Sequence, residues 1–353
     1  MENAAAESNA PGSTAAFLLT ASPDWSKRAP GVARGVTVIL RTRDRPLFLR
    51  RAVKSVAAQH APDLTLCVVN DGGDRQTTEQ IVRAELPDGV EIEFLHNPAP
   101  VGQVEALNLG FQRVRREFFA VHDDDDSWPP NFLSEMTGFL LRPENARFIG
   151  AVSNSAIVEE DVENGRIVFK GSHDHHKFGP VLSLFKLLHF HSHPPPISVL
   201  MRRAALDVAS GNNPHMPVMY DCEWLVRVAM HADVAVVDKA VAFYHLRKAD
   251  RTSLGAARNS IFEHQKDFVA LSALVQNELL RRELANGTLG AGFASSLIHL
   301  LQDRQFMFSR ETTAYLDRCA RRHSRRRAKI KKVEAAFKRV LTALGLRRMA
   351  SPA

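Results

Sequence analysis

The segment His122-Asp123-Asp124-Asp125-Asp126-Ser127-Trp128-Pro129-Pro130 sets four carboxylates in a row between an apolar run and a proline turn. Carboxylates this close repel one another unless a cation or hydrogen-bond donors compensate them. A divalent cation is the economical answer. Hard oxygen ligands select Mg2+ or Mn2+, shared with the phosphates of a bound nucleotide rather than caged by protein alone. Part of the run has an alternative task, capping the helix that begins near Pro130, where negative charge is favourable. A second cluster, Asn70-Asp71-Gly72-Gly73-Asp74, follows another apolar run. Asp71, leaving a buried strand, is suited to accept a hydrogen bond from a nucleobase N–H, and the glycines allow close approach to the backbone. The same residues are equally ordinary turn formers. A third group, His173, His175, His176, His189, His191 and His193, lacks helical ligand spacing and reads as an acceptor-facing flap rather than a metal centre.

Something must hold these clusters together, and an alternation that starts at Gly35 supplies it. Short apolar runs at 36–40, 64–69, 90–95 and 118–121 read as strands, the second apolar throughout, as in a strand covered on both faces. Between them Leu49, Ala52, Val53 and Val56, then Val104, Leu107, Phe111 and Val114, recur at helical spacing. Parallel strands need such crossovers. The pattern predicts an α/β fold with a mostly parallel central sheet, in which ligands bind at the carboxyl ends of the strands, where both acidic clusters fall. Beyond about residue 145 the rhythm loosens. Strand-like segments at 148–153, 166–170, 197–201, 234–237 and 241–246 surround a long loop from Gly171 to Pro196, and the chain reads as helical from about 256 onward. Residues 1–34, rich in Ala, Ser, Pro and Gly, read as a disordered leader.

The runs V-T-V-I-L-R-T-R-D-R-P (36–46), V-V-N-D-G-G-D (68–74), A-L-N-L-G-F (106–111) and F-F-A-V-H-D-D-D-D-S-W-P-P (118–130), in this order and spacing, resemble the inverting family 2 glycosyltransferases of the GT-A (nucleotide-diphospho-sugar transferase) fold. Weaker likeness continues through Y-D-C-E-W-L-V-R (220–227) and A-F-Y-H-L-R (242–247). The resemblance implies transfer of a sugar from a nucleotide-sugar donor, usually a UDP-sugar, to a hydroxyl of a glycan or lipid-linked acceptor, assisted by Mn2+ or Mg2+. By motif, Asp71 would contact the nucleobase, Asp123 and Asp125 would hold metal and diphosphate, and Asp124 would lie beside the ribose or sugar. Asn108, with Gly110, would sit near the donor, and His245 would be a third metal ligand. Asp221 would be the general base, although the family's Glu-Asp pair is Tyr220-Asp221 here, with Glu223 two residues on. Arg247 and Arg251 are candidates for the diphosphate. Where the family often has Pro-x-Tyr-Asn, this chain has Arg41-Thr42-Arg43-Asp44. Arg41 and Arg43 then belong to the donor site, Arg43 by stacking its guanidinium on the base.

Two rivals follow from the same residues. A sugar-nucleotide pyrophosphorylase would carry a glycine-rich phosphate loop after the first strand, and R-T-R-D-R-P has no glycine. A non-catalytic nucleotide- or glycan-binding module of the same fold is the other. The net charge of +7 is concentrated in the tail, where residues 311–353 hold 13 Lys/Arg against 3 Asp/Glu, leaving the remainder at −3. In the tail Ile330, Val333, Phe337, Val340, Leu341 and Leu344 mark one face of an amphipathic helix, which suits peripheral contact with an anionic membrane or docking on the fold. No nucleic-acid-binding fold accompanies it. Cys67, Cys222 and Cys319 form no C-x-x-C pair, and neither an export signal nor a transmembrane run is evident. The expected organisation is a leader (1–34), a GT-A domain (35–255) and a helical basic region (256–353). The expected setting is cytoplasmic, peripheral at the inner face of the plasma membrane.

Overall fold

The computed structural model describes residues 23–61, 63–175, 177–188, 193–247 and 265–288, with 290, 292, 293 and 297. The basic tail, Arg251, Cys319, His176, His189 and His191 lie outside the described residues.

Three parallel pairings build the first half. Strand β1 (Ala33–Thr42) lies between β2 (Leu64–Asp71) and β4 (Arg116–Asp123), and β3 (Glu91–Asn97) continues outward from β2. Every residue of β2 is buried, as its unbroken apolar run requires of a strand covered on both faces. The crossovers are α1 (Pro46–Ala57), α2 (Arg75–Glu85) and α3 (Gln103–Phe111), with α4 (Phe132–Leu140) following β4. Pro46 opens α1, where its missing N–H costs nothing, and Phe48, Leu49, Ala52, Val53 and Val56 form its buried stripe. Asp74 caps α2, accepting from the Thr77 amide at 2.6 Å.

The second half departs from simple alternation. Strand β5 (Gly150–Glu163) pairs antiparallel with β6 (Arg166–Asp174) and with β7 (Val199–Arg202), and parallel with β8 (Val234–Arg247). Strand β7 also pairs antiparallel with β4, which joins the halves in the order β3-β2-β1-β4-β7-β5-β6, with β8 on β5. The sheet is therefore mixed and mostly parallel, as expected, with the parallel pairings running from β3 through β4. Two expectations change. The segments 234–237 and 241–246 are one strand, continuous through register shifts opposite Ser153 and Asn154. The loop expected from Gly171 begins later, because β6 runs on to Asp174 and carries His173.

Single turns α5 (Leu184–Leu187) and α6 (Ala205–Val208) precede α7 (Tyr220–Ala229), and α8 (Gln265–Ala285) is the last long helix described. Two cores flank the sheet. One unites α1, α2 and α4 with Val36, Val38, Leu66 and Val68; the other unites α3 and α7 with Ile39, Cys67, Val69 and Phe119, and Leu271, Val275 and Leu279 of α8 pack on it. Trp25 packs there too, and its amide donates to the Ala146 carbonyl at 2.8 Å, so the fold begins before residue 34, inside the expected leader. Gly110 lets α3 sit close to the sheet, since a Cβ at that position would collide with the Ile39 side chain.

Candidate active site

Strands β1, β2, β4 and β8 all deliver polar residues at one edge of the sheet. Parallel register sets Arg41 opposite Asp123, and the neighbours become an ion pair: the Arg41 guanidinium donates to the Asp123 carboxylate at 2.8 Å. The Asp123 side chain is 23% exposed. Asp124 is buried, and accepts from the Thr42 hydroxyl at 2.8 Å and from Arg45 at 2.7 Å. Asp125 accepts from Arg45 at 2.9 Å and from Arg247, while its carbonyl accepts from Arg51. Asp126 accepts from the His245 amide at 2.9 Å.

Arginines and hydrogen-bond donors thus relieve the repulsion expected within this run. Burial is the largest influence on each of the three inner carboxyls. At Asp124 it prevails over Arg45 and raises the pKa; at Asp126 it is reinforced by Asp125 and Asp123, and the group is held far above the carboxylate range. At Asp125 the adjacent Arg45 and Arg247 outweigh burial and lower it. Buried ionised groups persist only when paired in this way.

Behind the run lies Glu160, opposite Arg247 in the β5–β8 register. It is buried and accepts from Arg51 at 2.6 Å, from Arg247 at 2.8 Å and from the His245 ring at 2.8 Å. A carboxylate can only accept, so Nδ1 of His245 carries the proton and Nε2 accepts from the Ser127 hydroxyl at 2.7 Å. Carboxylate-oriented imidazoles are common at metal centres. Here, however, both ring nitrogens are engaged, and a cation at Nε2 would have to displace Ser127. Burial also lowers the pKa of His245.

At the end of β2, Asp71 is buried and its oxygens hold the chain that opens α3: Asn97 Nδ2 and the Val101 amide donate to Oδ1 at 2.9 and 2.8 Å, and the Gly102 amide donates to Oδ2 at 3.0 Å. A carboxylate has about four acceptor positions, so room remains for one further donor. Arg43 is exposed, on the loop after β1. The Asp44 side chain of that loop accepts from the Asp74 amide at 2.9 Å, tying it to the loop after β2.

Asp221 stands in the first turn of α7. The cap position belongs to Met219, in the left-handed region at φ +59°, so Asp221 is not the N-cap. Burial raises its pKa, and nearby Asp123 adds to the effect. Asp123, Tyr220 and Asp221 border one cavity, whose other walls include Leu107, Phe111, Trp224 and Met201. Glu223 turns away and takes Arg227 at 2.7 and 3.0 Å. Asn108 has a different partner from the one expected: its amide grips the main chain of Asn212, donating to the carbonyl at 2.9 Å and accepting from the N–H at 2.7 Å.

Among the described residues no three His, Cys, Asp or Glu side chains converge on a metal position. The donor set therefore does not suit a protein cage. Asp123, with one oxygen on Arg41, suits a hard cation that completes its shell with phosphate oxygens and water, whereas the Asp125 carboxylate is engaged by Arg45 and Arg247. Arg45, Arg51, Glu160 and Ser127 were not anticipated. Arg45, just before α1, and Arg51, within it, adjoin an apolar stripe and look solvated in sequence, and Glu160 sits in an acidic stretch, Glu159-Glu160-Asp161, that reads as surface.

Residues 37–207 match the family model described as Glycosyl transferase family 2. The chain is 31% identical over 103 residues to an uncharacterized glycosyltransferase of Nostoc sp., covering 29% of this chain and 31% of the relative. It is 23% identical over 256 residues to the GalNAc(5)-diNAcBac-PP-undecaprenol beta-1,3-glucosyltransferase of Campylobacter jejuni, covering 69% of this chain and 75% of that protein. It spans 31%, 18% and 53% of three of the curated relatives it matches. Among solved structures, S. aureus TarS 1-349 in complex with UDP-GlcNAc is similar at a TM-score of 0.46 and 16% identity, over 62% of this chain and 61% of that one. The mannosyltransferase PcManGT of Pyrobaculum calidifontis, in complex with GDP-Man and Mn2+, is similar at 0.42 and 18%, over 62% and 61%.

Proposed function

We propose, for a chain that belongs to glycosyl transferase family 2 through residues 37–207, that it transfers a sugar from a nucleotide-diphosphate sugar to an acceptor hydroxyl with inversion at the anomeric carbon. The observation that carries this reading is that Asp123 and Asp221, from β4 and α7, border the same cavity. A sugar joined to a diphosphate at Asp123 lies within reach of Asp221. The Asp221 carboxylate takes the acceptor hydroxyl proton as that oxygen attacks the anomeric carbon. The carbon–oxygen bond to the diphosphate breaks, and its electron pair leaves with the nucleoside diphosphate. A base with a raised pKa suits this task, since proton transfer is most effective when the base titrates nearer working pH.

Asp71, Arg41 and Arg43 would hold the nucleoside end, the donor most simply being a UDP-sugar. Asp124, fixed by Thr42 and Arg45, would lie beside the donor ribose or sugar. Asp123 and Asp125 would hold Mn2+ or Mg2+ jointly with the donor, with His245 as a further ligand if Ser127 releases it. The bound cation would supply charge neutralisation of the departing diphosphate. Arg247 and Arg45 offer the same service through hydrogen bonds.

A glycan or lipid-linked acceptor is consistent with the Campylobacter relative, whose name describes a lipid-linked substrate. No described helix is long and apolar enough to cross a membrane. Peripheral attachment through the basic tail at the inner membrane face, in a cytoplasmic setting, completes the reading.

The test is a thermal-shift screen of nucleotide sugars with and without Mn2+. UDP with Mn2+ is expected to raise the melting temperature by more than the sum of each alone, and Asp125→Asn to remove that excess. Purely additive shifts in the wild-type protein would argue against a shared cation.

A further inference from the structure

Two arginines meet on one oxygen of Asp125. Arg45 Nη2, at 2.9 Å, and Arg247 Nη2 both donate to Oδ2, while Arg51 donates to the Asp125 carbonyl and so holds the main chain independently of the side chain. The carboxylate that would complete a cation site with Asp123 thus already faces two guanidinium charges. A divalent ion arriving there meets like charge, and a carboxylate held by arginine must give up an ion pair before it turns to a metal. For Asp125 to serve as a ligand, one arginine has to yield.

The two are not equally placed to do so. The Arg247 side chain is 4% exposed, and its Nη1 donates at 2.8 Å to Glu160, whose own side chain is 2% exposed. Withdrawing Arg247 would strip a buried carboxylate of a partner. Arg45 stands just before α1 with its side chain 20% exposed, and its Nη1 donates to Asp124 Oδ1 at 2.7 Å. The buried Phe48 ring lies 4.9 Å from its guanidinium carbon. Arg45 can therefore release Asp125 with Nη2 while Nη1 keeps Asp124 and the ring keeps its cation.

A guanidinium that has lost a carboxylate beside a newly bound cation needs an anion, and a nucleoside diphosphate is one. We propose that Arg45 is an exchangeable counter-ion: it holds Asp125 until a divalent cation displaces it, and its charge then passes to the donor diphosphate. The site takes cation and donor together and resists the cation by itself. The inference rests on the transferase reading and deepens it, adding the residue that couples the two ligands.

The test is a binding cycle on the full chain. Mn2+ is followed by its electron paramagnetic resonance signal and UDP by calorimetry, each with and without the other, after subtraction of the Mn2+ complex that UDP forms in solution. The ratio of Mn2+ affinities with and without UDP is the coupling, and it is the same read from either ligand. Arg45→Gln removes the charge and leaves an amide in its place. Without nucleotide, this variant is expected to bind Mn2+ about tenfold more tightly than the wild type, and its coupling to UDP to be about tenfold smaller, inside the usual range for coupled sites. A residue that merely shaped Asp125 would act the other way, weakening Mn2+ with and without UDP and leaving the coupling as it was. That result, or an unchanged Mn2+ affinity, would overturn the exchange and leave the transferase reading intact. UDP binding that Mn2+ does not strengthen in the wild type would overturn the shared cation together with the exchange, and binding of no nucleotide or nucleotide sugar at all would overturn the transferase reading itself. Should Arg45→Gln not fold, Arg45→Lys is measured in its place. A single ammonium does not bridge Asp124 and Asp125 as a guanidinium fork does, so nucleotide-free Mn2+ affinity is expected to rise there too, and no rise would overturn the exchange.

Discussion

Asn108 clasps the main chain of Asn212 with both ends of its amide, at 2.9 and 2.7 Å, and so joins α3 to the loop that leads into α7. The same loop is held from its other side: Trp224 donates to the Ala209 carbonyl at 2.9 Å, and Arg227 donates to those of Ser210 and Gly211 at 3.0 and 2.9 Å. A side chain at Gly211 would run into Asn108. Every contact in this cluster fixes where α7 begins, and hence where Asp221 stands.

Asn108→Ala is therefore expected to lower turnover while leaving donor binding nearly unchanged, with a stability loss of about 1–3 kcal/mol for the two buried bonds. Donor-induced thermal shifts beside steady-state rates separate the two effects. Loss of the donor shift with turnover per bound donor intact would mean that Asn108 contacts the donor itself.

The arginine bracket makes a stability prediction. Arg247 is paired with Asp125 and, at 2.8 Å, with Glu160, both in the interior. Removing one partner of a buried ion pair strands the other charge, at about 3–5 kcal/mol. Arg247→Ala should show a denaturation midpoint lowered accordingly, whereas a wild-type midpoint would mean that these carboxylates find other compensation.

Glu160 predicts an acid limb. Burial pushes its pKa up, but the bonds from His245 and Arg51 prevail and hold it at about 2. With the folded value below the unfolded one, the stabilisation is complete above about pH 4.5 and is lost as the pH falls toward 2. A shift of this size corresponds to about 3 kcal/mol. Urea unfolding of the wild type between pH 5 and 2 should steepen in this window, and Glu160→Gln should flatten that part of the slope. An unchanged slope in the variant would remove Glu160 as its source.

How much of this was legible in the sequence follows from the range of each interaction. The strands around β2 declared themselves because a strand covered on both faces must be apolar along its length, and Asp71 and Asp123 were found because they end such strands. The family resemblance carried Asp221, which periodicity alone would not have marked. Arg45, Arg51 and Glu160 stayed hidden because their partners are 74 to 109 positions away. A charge that will be buried by a distant strand looks in sequence like one facing water. The three-residue gap between the segments read as separate strands at 234–237 and 241–246 was a register shift within β8, which has no one-dimensional signature.

The central claim is that Asp221 removes the acceptor proton in a transfer from a nucleotide sugar. It is tested by comparing wild type and Asp221→Asn for donor affinity by calorimetry and for release of nucleoside diphosphate in the presence of acceptor. The account predicts matching affinities and a rate lower by about 10²–10⁴-fold in the variant. Wild-type turnover in Asp221→Asn would contradict it.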